Sequence, residues 1–222
     1  MFLKTQKDVE MESAEETNKY IETCQKTFWQ DVFRTETDYL IAHLENSRDI
    51  LSVGCGPAFI EGELSKKGFH VTGLDISAEA LKCAPDSIRG VAGRAEDMPF
   101  PESSFDAVIF VASLQFIGDY KAALRGSLDV LRTGGKIIVM LLNPQSDFFK
   151  TMRAEPESYV NLIKHTNIKD IERFMSGLFS IQKEYILGIN GETIFKSADP
   201  YRAALYVING RKNKTIKRED KP

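Results

Sequence analysis

Two glycines and one aspartate are spaced as in a site for a nucleotide-like ligand. Gly54 and Gly56 follow the short apolar run Ile50–Val53, and Asp75 comes about 20 residues later. Glycines let the backbone approach a ligand where a Cβ atom would clash, and a helix starting just beyond them offers N–H groups to an anionic group such as a carboxylate. At the tip of the next strand, Asp75 could accept both hydroxyls of a ribose. Its alternative role is as a helix cap, because Ser77 opens the following helix.

The same loop disfavours a dinucleotide. Phe59 stands where a dinucleotide site would have its third glycine, and Pro57 removes a backbone donor that a pyrophosphate could use. Two hydrogen bonds from a ribose to the Asp75 carboxylate also leave no place for a 2′-phosphate. The pattern therefore favours a ribose-containing ligand other than NADP.

The bulk composition is that of a globular domain. The chain has 222 residues, of which 42% are hydrophobic and 27% charged, and its net charge is −3. We expect no nucleic acid partner, because no basic field is present, and no membrane association, because no apolar run approaches the roughly 20 residues that span a bilayer. The first residues lack the apolar core of a secretory signal, so a cytoplasmic location is expected.

Cysteine and histidine are dispersed and predict no metal site. The cysteines are odd in number and scattered, as expected for free thiols in a reducing compartment: Cys24, Cys55 and Cys83. The histidines are equally scattered: His43, His70 and His165. Of these, only His165 lies outside the predicted core elements, so it is the one histidine considered as a catalytic base. No catalytic residue is assigned.

A regular alternation of strands and helices occupies residues 46–142. Apolar runs predict five strands: Ile50–Val53, Phe69–Leu74, Ile88–Ala92, Phe105–Val111 and Lys136–Leu142. Amphipathic segments between them predict three helices: Ile60–Lys67, Ala78–Ala84 and Asp119–Leu131. Alternation of this kind favours a doubly wound α/β fold with a mostly parallel sheet, whose strands all end at one edge.

The flanking segments differ from this core. Residues 1–45 show helical spacing from Asn18 to about Glu45 and predict two helices broken near Thr35–Thr37. Residues 143–210 predict an insert and the last strands, and Asn190-Gly191 indicates either a hairpin or part of a longer loop. The predicted helices here are Pro156–Leu162 and Ile168–Leu178, with Thr166 or Asn167 as cap of the second. The predicted strands are Ile181–Ile189 and Ala203–Asn209, and Glu192–Phe195 is ambiguous. Residues 1–222 are interpreted as a single domain with a flexible tail at 211–222.

Five segments taken together carry a family resemblance. They are DILSVGCGPA, VTGLDIS, GRAEDMPFPESSFDAV, ASLQFI and LRTGGKIIV, and they span roughly residues 46–142. In their order and spacing the chain resembles the class I S-adenosylmethionine-dependent methyltransferases, in particular the small-molecule group called type 11. The resemblance implies a Rossmann-like, seven-stranded sheet with an antiparallel C-terminal strand, a helical N-terminal cap and a small insert after strand five.

The resemblance also implies cofactor contacts around the first two strands. Gly54, Cys55 and Gly56 would line the methionine part of S-adenosylmethionine by backbone contacts. Asp75 would hold the ribose hydroxyls, and Ile76 would pack on the adenine.

Further implied contacts come from the loops after strands three and four. The Ala95 N–H group and the Glu96 side chain would lie at the adenine edge, and the Val111 carbonyl would approach the amino end of the cofactor. Leu114 and Gln115 would face the methyl group or its acceptor.

Three positions depart from the family pattern. Ser52 replaces a usual acidic residue that helps to fix the cofactor's amino group, which predicts either weaker recognition of that group or its recognition by another residue. Ala58 replaces a usual glycine and adds only a methyl group. Arg94 stands where an aspartate often binds the adenine amine, which leaves that role to Glu96 or Asp97.

The acceptor site should be built outside the core. The aromatic N-terminal helices and the segment after strand five would form an apolar lid suited to a small, partly apolar acceptor. Tyr20 and Phe28 have the spacing of core positions, whereas Trp29 lies off that stripe and could face the cleft. The predicted acceptor contacts are Tyr20, Trp29, Gln115 and Asn143.

The leading hypothesis is a methyltransferase that moves the sulfonium methyl to a small molecule by in-line displacement. One alternative is a non-catalytic scaffold that binds the same cofactor, which the departures at Ser52 and Arg94 keep open. The other is a nicotinamide-dependent oxidoreductase, which the glycine pattern disfavours.

Overall fold

An eight-stranded β-sheet is the centre of the structure. The computed structural model describes Lys19 and residues 21–212, and its strands follow the order β3-β2-β1-β4-β5-β8-β6-β7. The first five strands pair in parallel, as predicted from the alternation. They are β1 (Asp49–Val53), β2 (His70–Asp75), β3 (Arg89–Ala92), β4 (Phe105–Val111) and β5 (Leu131–Leu142).

Helices cover both faces of this sheet. On one face α1 (Thr27–His43) and α2 (Phe59–Lys66) pack against a core that includes Ile50. On the other face lie α4 (Tyr120–Val130) and α6 (Ile168–Leu178), and their core includes Leu51. Adjacent residues of β1 thus enter different cores, which explains its continuous apolar sequence. The remaining helices are α3 (Ala78–Leu81), α5 (Asp147–Ala154) and the 3₁₀ turns Leu114–Phe116 and Tyr159–Leu162.

Three antiparallel strands extend the sheet, so the predicted count of seven strands is wrong. Strand β8 (Ala203–Lys212) pairs with β5, β6 (Phe179–Asn190) pairs with β8, and β7 (Thr193–Phe195) pairs with β6. The eighth strand forms because Asn190 pairs with Thr193, which makes a two-residue hairpin with φ +57° at Gly191.

The predicted break in the N-terminal helical region is wrong in position. Helix α1 continues through Thr35–Thr37, where the Thr35 hydroxyl donates to the Asp31 carbonyl at 2.9 Å. The chain turns instead at residues 25–26, after a short helical stretch at residues 21–24. There the Gln30 side chain donates to the Cys24 carbonyl at 2.6 Å. This side-chain hydrogen bond spans the turn that precedes α1.

Two other predicted helices are shorter than expected. Helix α3 ends at Leu81, and the chain continues to Ala84 through tighter hydrogen bonds spaced three residues apart. The segment Pro156–Leu162 forms only the second 3₁₀ turn, in which Asn161 N–H donates to the Ser158 carbonyl at 2.9 Å. In contrast, β4 and α6 have the predicted bounds.

This topology brings the ends of three strands to one place. Strand β1 lies between β2 and β4, so the carboxyl ends of β1, β2 and β4 meet at the point where the strand order reverses. In open α/β sheets, ligands bind in the crevice at such a point.

Candidate active site

A cavity of about 1080 Å³ opens at this edge of the sheet. The structure brings eight of the twelve predicted site residues into its wall: Trp29, Gly54, Cys55, Asp75, Ile76, Ala95, Glu96 and Val111. Gly56, Gln115 and Asn143 lie outside the lining, and Tyr20 lies outside the described residues. The cavity continues from the glycine loop to α1, α5 and the second 3₁₀ turn.

Packing within the protein requires a glycine at position 54, whether or not a ligand is bound. Its φ is +74°, and a Cβ atom there would lie 2.6 Å from the Ser113 Cβ atom. The Ser113 hydroxyl also donates to the Val53 carbonyl at 2.5 Å. The loop after β4 is thereby fixed to the loop after β1. Ser113 was not among the predicted site residues, and only the pairing of these two loops reveals its role.

The next positions of the loop are also conformationally special. Ala58, at the N-cap of α2, adopts the left-handed conformation with φ +59°. The alanine that stands here in place of the usual glycine therefore costs about 1–2 kcal/mol of backbone strain, beyond the methyl group that it adds.

The Cys55 thiol packs against Gly73, where a Cβ atom would lie 2.5 Å from the sulfur. Burial raises the pKa of Cys55, so this thiol stays protonated and unreactive.

Asp75 is fixed by two backbone donors. Its Oδ2 atom accepts from the Gly56 N–H at 2.7 Å, and its Oδ1 atom accepts from the Ser77 N–H at 2.8 Å. The cap of α3 is Ser77, whose hydroxyl accepts from the Ala80 N–H at 3.1 Å. Each carboxylate oxygen of Asp75 keeps a second acceptor position, so the side chain presents two oriented acceptors to the cavity.

An exposed apolar side chain lies beside Asp75. Ile76 is 70% exposed while lining the cavity, and Ala95 and Glu96 form the wall near it. Arg94 donates to Glu96 Oε1 at 3.1 Å. Of the two acidic residues that could replace the missing aspartate, Glu96 lines the cavity and Asp97 does not.

A buried carboxyl from α2 lies behind the glycine loop. The Ser52 hydroxyl donates to Glu61 Oε1 at 2.5 Å, and Glu61 lines the cavity at 3% exposure. Burial raises the pKa of Glu61 to about 7, although the bond from Ser52 acts in the opposite direction. Sequence reasoning missed Glu61. Its signal is an acidic residue on the apolar face of the helix, between Ile60 and Leu64.

A second buried carboxyl belongs to α1. Glu36 is 4% exposed and lines the cavity, and burial together with the neighbouring Glu61 raises its pKa to about 8. It was also missed, although it interrupts the apolar stripe of Val32 and Leu40 at helical spacing.

Aromatic rings form the wall around Glu36. The Trp29 ring packs edge-on against Phe148 and Tyr159, with centroids 6.4 and 6.2 Å apart. Phe33 stacks on Phe59 with centroids 5.9 Å apart. Trp29 therefore faces the cleft, the orientation that its position off the core stripe allowed.

The side chains of Gln115 and Asn143 form hydrogen bonds with backbone groups. Gln115 is fully buried; its amide nitrogen donates to the Leu142 and His165 carbonyls, and its oxygen accepts from the Leu142 N–H at 2.7 Å. The Asn143 amide nitrogen donates to the Pro200 and Ala203 carbonyls at 2.6 and 2.8 Å. Both side chains position the end of β5, and neither reaches the cavity wall.

Leu114 and His165 also lie away from the cavity lining. Leu114 is fully buried in the core. The His165 Nε2 atom lies 2.9 Å from the Ile117 carbonyl, and its ring packs edge-on against Tyr120. The geometry therefore assigns His165 a structural role rather than that of a catalytic base.

Comparisons with known proteins agree with this geometry. Residues 51–139 match the family model described as a methyltransferase domain. A demethylmenaquinone methyltransferase of Listeria welshimeri is 32% identical over 47% of this chain, and the match spans about half of that enzyme, 49% of its length. An uncharacterised protein of Methanocaldococcus jannaschii is 28% identical over 82% of this chain and 86% of its own.

The fold has a solved counterpart. A crystal structure from Thermotoga maritima, described as a SAM-dependent methyltransferase and possible histamine N-methyltransferase, superposes with a TM-score of 0.76. The two sequences are 18% identical, and the superposition covers 90% of this chain and 97% of the other. This likeness confirms the Rossmann-like fold.

Residues 51–139 thus match a methyltransferase domain, and this match together with the motifs supports a class I S-adenosylmethionine-dependent methyltransferase. The prediction made from the five segments is thereby confirmed for residues 51–139, and the match supports an enzyme of the methyltransferase class. In the part of the chain that the structure describes, no helix has the length and apolarity needed to cross a membrane.

Proposed function

We propose that this enzyme binds S-adenosylmethionine and transfers its methyl group to a small-molecule acceptor by in-line displacement. The observation that carries the proposal is the continuity of the cavity. One space of about 1080 Å³ joins the Asp75 and glycine-loop end to the aromatic wall, enough for a cofactor together with a small acceptor.

The residues at the sheet edge fit this cofactor. The two oriented acceptors of Asp75 suit the ribose hydroxyls, and the exposed Ile76 side chain offers an apolar surface for the adenine. Helix α2 begins at Phe59 in the cavity wall, where its N-terminus suits a carboxylate. Glu61 would pair with the cofactor's ammonium group in place of the acid that Ser52 replaces.

The chain contributes positioning and exclusion of water. When bound, the sulfonium supplies an electrophilic methyl group. Trp29, Phe33 and Phe148 enclose the acceptor end, which would keep water out and hold the acceptor in line. A small-molecule acceptor is further supported by the name of the Listeria relative, a demethylmenaquinone methyltransferase.

Calorimetry tests the cofactor directly. We expect the full chain to bind S-adenosylmethionine and S-adenosylhomocysteine, and to bind NAD at least a hundredfold more weakly, because the loop lacks the third glycine. Tight binding of NAD without binding of the sulfonium would refute the proposal. Transfer of a radiolabelled methyl group to members of an acceptor panel would then measure turnover.

A substitution at Asp75 tests the ribose contact. We expect Asp75→Ala to reduce affinity for S-adenosylhomocysteine at least tenfold, since each hydrogen bond to a charged group contributes about 1.5–3 kcal/mol. Asp86→Ala, a change at an exposed aspartate, is the matched control. Thermal unfolding of both variants would show that the fold persists. Unchanged affinity in Asp75→Ala would remove this residue from the ribose site.

A further inference from the structure

We propose that the acceptor carries a positively charged nitrogen, which binds against the Glu36 carboxylate beside the rings of Trp29, Phe33 and Tyr159. This inference rests on the proposed function and names the chemical class of the acceptor. It assigns the aromatic end of the cavity to organic cations such as small amines.

Glu36 is placed to receive a ligand. Trp29, Val32, Phe33 and Glu36 lie within two turns on one face of α1, and all four line the cavity. Only 4% of the surface of Glu36 is exposed to solvent. Throughout Lys19 and residues 21–212, no hydrogen-bond donor or cationic side chain pairs with its carboxyl group.

The groups that face Glu36 do not compensate a negative charge. Its charged neighbour is the Glu61 carboxyl, which disfavours ionisation of Glu36 further. Tyr159 also interacts electrostatically with Glu36: burial raises the pKa of the Tyr159 hydroxyl, and the negative charge of Glu36 raises it further. Three cationic residues line the cavity: Lys19, Arg94 and Lys164. Arg94 pairs with Glu96, Lys164 lies beside Gly118, and none of the three forms an ion pair with Glu36.

This arrangement selects a cation over other acceptors. A neutral apolar acceptor would bury the carboxyl still without a partner, which is unfavourable for any polar group. An anion would favour no charge on Glu36 and would be repelled by the ionised fraction of Glu61. An ammonium group would pair with Glu36, and the faces of aromatic rings attract a positive charge.

The pairing has a proton signature. Because burial keeps Glu36 largely protonated at pH 7 in the free protein, a bound cation would favour the carboxylate and release a proton. A ligand that only fills apolar space would release none. Proton release therefore distinguishes charge recognition from packing.

The experiment is calorimetry on the full chain saturated with S-adenosylhomocysteine. The probes are 2-phenylethylamine, butylamine and tetramethylammonium, with 2-phenylethanol as the neutral counterpart of the first. Titrations in two buffers of different ionisation enthalpy give the number of protons released. The variants are Glu36→Gln and the matched control Asp38→Asn, which removes an exposed carboxylate from the same helix.

We expect at least one cation to bind, 2-phenylethylamine to bind at least tenfold more tightly than 2-phenylethanol, and protons to be released. Glu36→Gln should lower the cation affinity at least tenfold and abolish proton release, while Asp38→Asn should change neither. The proposal is overturned if no cation binds at millimolar concentration, if the alcohol binds as tightly as the amine, or if Glu36→Gln has no effect.

These outcomes are separable from failure of the proposed function. Binding of S-adenosylhomocysteine by the wild type with no preference for cations would refute only the acceptor class. Absence of that binding would refute the cofactor assignment. If Glu36→Gln fails to fold, the comparison of 2-phenylethylamine with 2-phenylethanol on the wild type still tests whether the site prefers a cation.

Discussion

The Ser52 hydroxyl donates a 2.5 Å hydrogen bond to Glu61 Oε1, and both side chains are buried behind the glycine loop. Ser52 occupies the position where related enzymes usually carry an acid. The bond shows how a carboxyl group from α2 reaches the same region of the site. Strand β1 therefore supplies the donor, and the following helix supplies the charge.

We predict that Glu61→Gln weakens binding of S-adenosylmethionine about tenfold or more, because the ammonium group would lose its charged partner. Calorimetry with 5′-methylthioadenosine, which has no amino acid part, should show no loss. Glu63→Gln, on the exposed side of the same helix, is the control. Equal losses for both ligands would contradict a role limited to the ammonium group.

Stability should depend on pH through Glu36. Its folded pKa of about 8 lies above the ordinary value of 4.5, so the folded state binds the extra proton between these values. This contribution to stability is complete below pH 4.5 and is lost as pH rises through 8. The titratable groups that interact with Glu36 are Glu61 and Tyr159.

We therefore predict that Glu36→Gln gains stability relative to the wild type as pH rises from 5 to 8, with a slope of up to about 1.4 kcal/mol per pH unit. Urea unfolding at a series of pH values measures the difference, and Asp38→Asn is the control. If the stability of the wild type and of Glu36→Gln changed with pH in parallel, the pKa of the Glu36 carboxyl would not be raised in the folded state.

Gly54→Ala should destabilise the fold by about 2 kcal/mol or more, because the new Cβ atom would meet Ser113 and φ would remain positive. The double variant Gly54→Ala with Ser113→Gly should recover the part due to the clash. Gly177→Ala, in α6 with open space around it, should instead stabilise by up to about 1 kcal/mol. Urea unfolding tests all three, and a neutral Gly54→Ala would contradict the contact.

Gln115→Ala should destabilise the protein by about 2–4 kcal/mol, because the buried N–H and carbonyl of Leu142 and the half-buried His165 carbonyl would lose this partner. Affinity for S-adenosylhomocysteine should change less than twofold. Gln182→Ala, at an exposed position of β6, is the control in the same unfolding and binding assays. Unchanged stability with a loss of acceptor turnover would restore the predicted acceptor contact.

The sequence alone was sufficient for the parallel core and one edge of its site. Strand β4 has the predicted bounds because a continuous apolar run has few alternatives to a strand buried on both faces. The glycines and Asp75 were identifiable because they follow strands, and parallel strands end at the same edge. Each of these inferences depends on local pattern and chain direction.

The tertiary structure decided which polar side chains meet. Glu36 and Glu61 are 25 positions apart, and no local periodicity indicates that α1 and α2 bring their carboxyls to one cavity. Gln115 resembled a site residue by position, yet its amide satisfies the backbone at the end of β5. Sequence periodicity determined the elements here, because their burial follows from local spacing. Packing between distant elements determined the chemistry of the cavity, because desolvation and charge pairing depend on neighbours that only the fold supplies.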